Sequence, residues 1–124
     1  MIIVLLMILL AALAALIICP IRIFRNPRST KAYRHFTVVT GSAMVLLSYV
    51  MTFHFVYTTN PNTRVHGWPV AVVIFQRDTP EGPWLDYVGA ITWLGFPINL
   101  VLLTGVWFLL LWLVNLLLYR RQRE

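Results

Sequence analysis

Residues 20–34 carry five basic side chains, Arg22, Arg25, Arg28, Lys31 and Arg34, and no acid. Residues 1–19 before them contain no charged side chain, and the apolar run after them holds no Asp, Glu, Lys or Arg up to residue 58. A short, purely basic stretch between two apolar segments limits the chain to membrane architectures. The membrane potential and anionic lipid both oppose carrying Lys and Arg across, so the stretch is expected on the cytoplasmic side. Composition agrees: 60% hydrophobic and 11% charged residues depart from the about 45–50% apolar and about 25% charged usual for soluble domains. The net charge of +6 also suits a nucleic-acid binder. However, Arg22, Arg25, Arg28, Lys31, Arg34, Arg120, Arg121 and Arg123 all border apolar segments, where topology and contact with anionic lipid place them. No nucleic acid and no soluble substrate is expected as a partner.

The expected fold is an all-α integral membrane protein, one membrane domain over residues 1–124. Three transmembrane helices are expected, with the N-terminus outside and the C-terminus in the cytoplasm. The expected spans are about 2–19, 36–58 and 95–119, with a basic cytoplasmic loop at 20–35 and an ordered outer loop at 59–86. The first span is near the ~20 residues needed to cross a bilayer and is expected to end at Pro20. Cleavage as a signal peptide is not expected, because no positive n-region precedes the apolar run. The Leu16-Ile17-Ile18-Cys19 stretch resembles a lipoprotein signal, but that motif wants a small residue where Ile18 stands. Cys19 is the single cysteine, so no internal disulfide can form.

In the second span Thr37, Thr40, Gly41, Ser48, Thr52 and His54 share one side at helical spacing, together with Met44 and Met51. Such a stripe predicts a helix-packing face, because small and hydroxylated residues permit close approach and interhelical hydrogen bonds. The outer loop opens on turn chemistry, Asn60-Pro61-Asn62. It continues through His66-Gly67-Trp68-Pro69, an apolar run at 70–75, and a Pro- and Gly-containing charged turn. Residues 70–75 are too few to span and β-prone. They read as a strand without a partner in this chain, open to another chain. In the third span, Gly95-Phe96-Pro97 predicts a kink, with Trp84, Tyr87 and Trp93 as an interfacial belt. Asn99 and Asn115 fall on nearly opposite faces and so point to separate neighbours.

Candidate sites are few. His54 is the ionisable group expected within a span, and as such a candidate ligand for a haem or chlorophyll-type pigment. No second histidine on a facing helix supports it, so the sequence requires no cofactor. Asp78, Glu81 and Asp86 are too scattered for a carboxylate pair or a calcium loop. Ser42 and Ser48 have no activating base placed by sequence, and no catalytic residue or metal site is expected. Trp68, Pro69 and Trp84 in the loop, and Gly41, Ser48 and Thr52 on the second span, are the candidate partner-binding residues. The expected function is therefore not enzymatic. It is that of a small structural or accessory subunit of a larger membrane complex, bacterial and energy-converting (respiratory or photosynthetic), contacting other membrane subunits in the inner (plasma) membrane. One alternative is a self-assembling pore, since the three-span outline with its basic tail resembles one type of phage holin. Another is a cofactor-binding subunit using His54.

Overall fold

The computed structural model describes residues 1–87 and 92–120. The side chains of Asp86, Tyr87, Thr92 and Trp93 fall outside that description, as do Arg121 and Arg123. The element order is α1 (Ile2–Arg25), α2 (Lys31–Phe53), β1 (Val56–Asn60), β2 (Thr63–His66), β3 (Val73–Gln76), β4 (Leu85–Tyr87) and α3 (Thr92–Arg120). Three helices are long and apolar enough to cross a membrane, over Ile2–Arg25, Lys31–Phe53 and Leu94–Arg120. Their outward surfaces are apolar: Ile2, Leu6, Leu46, Leu94 and Leu117 are all more than half exposed. Hydrocarbon side chains are left outside in this way where lipid is the solvent. The all-α expectation is incomplete, because a four-stranded antiparallel sheet in the order β1-β2-β3-β4 accompanies the helices.

The chain divides into two compact units, one of Met1–Leu46 with Val101–Glu124 and the other of Leu47–Leu100. Both α2 and α3 contribute to each.

In the helical unit, α1 runs through Pro20 instead of ending there. The proline removes one hydrogen bond. Breaking the helix in an apolar segment would leave many more backbone groups without partners. The helix stops at Asn26, extended at φ −71° and ψ 115°, where the following Pro27 disfavours helical backbone. Thr30 then caps α2, its Oγ1 accepting the Tyr33 N–H at 3.2 Å. The basic loop expected at 20–35 is thus mostly helix, with only residues 26–30 between α1 and α2.

Ala12, Cys19 and Ile23 form the buried stripe of α1, at spacings of seven and four. At Ala12 the approach of α3 is backbone to backbone: a Cβ built on Gly105 would lie 2.3 Å from the Ala12 carbonyl oxygen. On α2, Thr37 and Gly41 are buried, and a Cβ on Gly41 would lie 2.7 Å from Phe108 Cζ. Trp107 Nε1 donates to Thr40 Oγ1 at 3.1 Å, and the Tyr33 hydroxyl donates to the Leu111 carbonyl. Farther along, Asn26 Nδ2 donates to Asn115 Oδ1 at 3.0 Å, and the Thr30 N–H donates to the Tyr119 hydroxyl at 3.1 Å.

In the second unit α2 ends at Phe53, five residues short of the expected span. Residues 56–60 are instead the edge strand β1, pairing Val56 with His66 and Tyr57 with Val65. The Asn60-Pro61-Asn62 turn is an Asx turn, with Asn60 Oδ1 accepting the Asn62 N–H at 3.0 Å. The expectation of an unpaired strand at 70–75 is overturned. Val73–Gln76 pairs on one side with Thr63–His66 and, through Ile74 to Gln76, on the other with Leu85–Tyr87. Sequence patterning missed this because β4 is three residues long and follows a turn rich in Pro and Gly. Gly95 and Pro97 lie inside α3.

Candidate functional site

The most constrained feature of the sheet-bearing unit is the connection from β2 to β3, residues 67–72. Gly67 adopts φ +95°, a left-handed conformation that glycine takes without steric cost. It also has no room for a side chain, since a Cβ there would meet Val72 Cγ2 at 2.9 Å and the Val70 and Thr52 carbonyl oxygens at 3.0 and 3.1 Å. The Gly67 N–H donates to the Phe55 carbonyl and the Trp68 N–H to the Met51 carbonyl, each at 3.0 Å. The Trp68–Pro69 peptide is cis. The Val72 N–H returns to the His66 carbonyl at 2.8 Å.

Asn99 of α3 completes the turn. Its Oδ1 accepts the Val70 N–H at 2.8 Å, while Nδ2 donates to the Val70 carbonyl at 3.0 Å and to Thr52 Oγ1 at 3.1 Å. The side-chain amide pairs with one backbone residue as a neighbouring strand would. The Thr52 hydroxyl in turn donates to the Ser48 carbonyl at 2.6 Å. Asn99, Thr52 and Ser48 are each 0% exposed, so these polar groups are satisfied without water. Val72 packs against Gly95, where a Cβ would lie 2.6 Å from its Cγ2. The rings of Tyr49 and Phe53 both meet Phe96, at 6.2 and 5.7 Å.

On this fixed turn Trp68 is 46% exposed. Trp84 is placed differently. Two guanidinium groups lie over its ring, Arg64 at 4.4 Å and Arg77 at 4.5 Å from the centroid, and Arg77 also donates to the Pro61 carbonyl at 2.8 Å and Asn62 Oδ1 at 3.3 Å. Arg77 thereby ties Trp84 to the β1–β2 turn.

Pro69 lies in the turn beside Trp68, half-buried. Gly41, Ser48 and Thr52 are buried against this chain's own residues. His54 lies just past the end of α2, exposed, with its ring 5.9 Å from Tyr49. Among the described residues no three His, Cys, Asp or Glu side chains gather as a metal site would require. Sequence reasoning missed the pairing of Asn99 with Val70. Its only signal was a lone amide in an apolar helix, which announces a need for partners without naming them. Searches of protein-family models, curated proteins and solved structures found no match for this chain.

Proposed function

We propose that this protein is a small, non-catalytic accessory subunit of a larger membrane complex, and that Trp68 is its contact with a neighbouring subunit. The reading rests on one observation: Trp68 is 46% exposed on a turn whose backbone is held from both sides. A large aromatic held out on a fixed backbone loses little conformational freedom on docking, which favours its use as an anchor. The setting we propose is a bacterial inner (plasma) membrane, with the N-terminus outside and the C-terminus in the cytoplasm. The hydrogen bonds Asn26–Asn115 and Thr30–Tyr119 support that orientation. They gather the basic residues around 22–34 and Arg120 at one end of the helical unit, as the retention of positive charge on the cytoplasmic side requires. An energy-converting complex is the proposed parent.

The test is Trp68→Ala in the native host, followed by gentle detergent extraction. Truncating a central aromatic anchor commonly costs ~2 kcal/mol or more, so co-purifying subunits should fall at least several-fold while the variant inserts at wild-type level. A variant that inserts normally and retains every partner under added detergent would reduce Trp68 to a lipid-interface residue and end this reading.

A further inference from the structure

At the basic end of the helical unit lies an open cleft of about 510 Å³ lined by Asn26, Pro27, Arg28, Leu116, Tyr119 and Arg120. Its walls come from two elements, the turn after α1 and the last turns of α3. They are fixed by polar contacts: Asn26 Nδ2 to Asn115 Oδ1 at 3.0 Å, the Arg28 N–H to Asn26 Oδ1 at 3.1 Å, and the Thr30 N–H to the Tyr119 hydroxyl at 3.1 Å. The Tyr119 oxygen accepts in that bond and so keeps a proton to donate.

No Asp or Glu occurs among the described residues of this unit, since the acids of the chain are Asp78, Glu81, Asp86 and Glu124. Arg28 and Arg120 therefore face the cleft without a carboxylate from these residues to neutralise them. Guanidinium groups bind phosphate oxygens in pairs of parallel hydrogen bonds. A free phosphate would satisfy that charge but leave the apolar part of the cleft unused. Leu116 lines the cleft at 43% exposure, and Leu113 and Leu109, three and seven positions earlier on the same face of α3, are 43% and 38% exposed. A ligand that meets both halves is anionic at one end and hydrocarbon at the other.

We propose that this cleft binds the headgroup of an anionic phospholipid, with Arg28 and Arg120 on the phosphate, Tyr119 donating to it, and Leu116 against the first carbons of an acyl chain. The site is independent of Trp68 and of the accessory reading. A phosphatidylcholine carries the same phosphate, but its trimethylammonium group meets the arginines unfavourably, so the cleft should prefer phosphatidylglycerol.

The experiment is native mass spectrometry of the full chain in mild detergent, titrated with phosphatidylglycerol or phosphatidylcholine. Wild type should retain one phosphatidylglycerol in clear preference. Arg28→Gln with Arg120→Gln should weaken retention by about tenfold or more, the scale set by two basic residues at an anionic surface. Arg25→Gln with Lys31→Gln removes the same charge from the same end and should leave retention within about twofold, because neither residue lines this cleft. Leu116→Trp keeps every charge and fills the apolar part of the cleft, and it should also abolish retention; this variant decides the matter should the double arginine variant not fold. Equal weakening by both double variants would reduce the effect to diffuse surface charge and overturn the proposal. Retention of both lipids alike, or displacement of the lipid by millimolar glycerol 3-phosphate, would overturn it too, the latter by assigning the cleft to a soluble phosphate.

Discussion

Asn99 and Asn115 lie in the same helix, each almost fully buried at 0% and 1% exposure, and the two units use them differently. In the helical unit Asn115 bonds side chains, accepting from Asn26 Nδ2 at 3.0 Å and donating to Ser29 Oγ at 3.4 Å. In the sheet-bearing unit Asn99 bonds both polar groups of the Val70 backbone and the Thr52 hydroxyl. A side chain can be exchanged for an apolar one without leaving a peptide group bare. The Val70 peptide is part of the backbone, so an apolar replacement of Asn99 leaves both its N–H and its carbonyl without this partner. One amide fastens the turn between α1 and α2 to α3, and the other stands in for a missing strand. The burial of an asparagine therefore says little about its worth until its partners are known.

Asn99→Leu should have the largest effect. It leaves the Val70 N–H and carbonyl without their partner, at about 1–3 kcal/mol for each fully buried group and hence at most about 2–6 kcal/mol together, since Val70 is itself half-buried. Trypsin can report on the units separately, because Arg64 and Arg77 lie in one and Arg22, Arg25, Arg28, Lys31 and Arg34 in the other. Cleavage at Arg64 and Arg77 should accelerate by well over tenfold in detergent, with the pattern at residues 22–34 unchanged. Equal acceleration in both regions would break the comparison by showing that the units unfold as one.

The difference in local logic also decides what could be foreseen from sequence. The helices were legible because a bilayer demands long apolar blocks, and such blocks are hard to mistake. Of the stripe read from its spacing, Thr37, Gly41, Ser48 and Thr52 are buried and Thr40, Met44 and Met51 half-buried, whereas His54 is exposed beyond the end of α2. Helix ends were less legible. Lys31, Arg34 and His35 suggested loop, yet α2 begins at Lys31, since a helix can carry charges beyond the apolar stretch. At the other end, Val56 and Tyr57 suited an apolar helix as well as the strand they form. The sheet was the least legible part. Its strands run from three to five residues, its β1 and β2 registers shift at a bulge between Thr58 and Asn60, and its β2–β3 connection is held by a residue from α3. A lone asparagine in an apolar run cannot reveal that its partner is the backbone of Val70.

Gly105→Ala should rank second and should act on the other unit. The added methyl would approach the Ala12 carbonyl carbon at 2.9 Å as well as its oxygen at 2.3 Å, so α1 and α3 must part along their backbones. Overpacking of this kind costs about 1–3 kcal/mol. Gly41→Ala is the matched control, because the atoms in its way belong to the Phe108 ring, which can turn aside where a backbone cannot. Thermal unfolding in detergent, followed by helical circular dichroism, should show a lower midpoint for Gly105→Ala than for Gly41→Ala. The reverse order would mean that the α1–α3 contact yields more readily than a packed aromatic ring. Trypsin cleavage at Arg64 and Arg77 should stay at wild-type rate in both variants.

Asn115→Leu should be the mildest of these changes, and it sharpens the comparison most because it repeats the first substitution in the same helix. The leucine takes away an acceptor for Asn26 Nδ2 and a donor to Ser29 Oγ, and it strands no backbone group. Asn26 keeps a second tie through its Oδ1, which accepts the Arg28 N–H at 3.1 Å. Hydrogen bonds between side chains of membrane helices average about 0.6 kcal/mol when measured by paired mutation, and the added apolar area of leucine offsets part of that loss. The midpoint should therefore fall by much less than for Asn99→Leu. The local sign should be faster tryptic cleavage at Arg28 and Lys31, which flank the turn that Asn26 and Ser29 anchor, with Arg64 and Arg77 unaffected. If Asn115→Leu matched Asn99→Leu in midpoint, the identity of the partner, side chain or backbone, would not be what separates the two asparagines. Burial within α3 would then have to carry the whole effect.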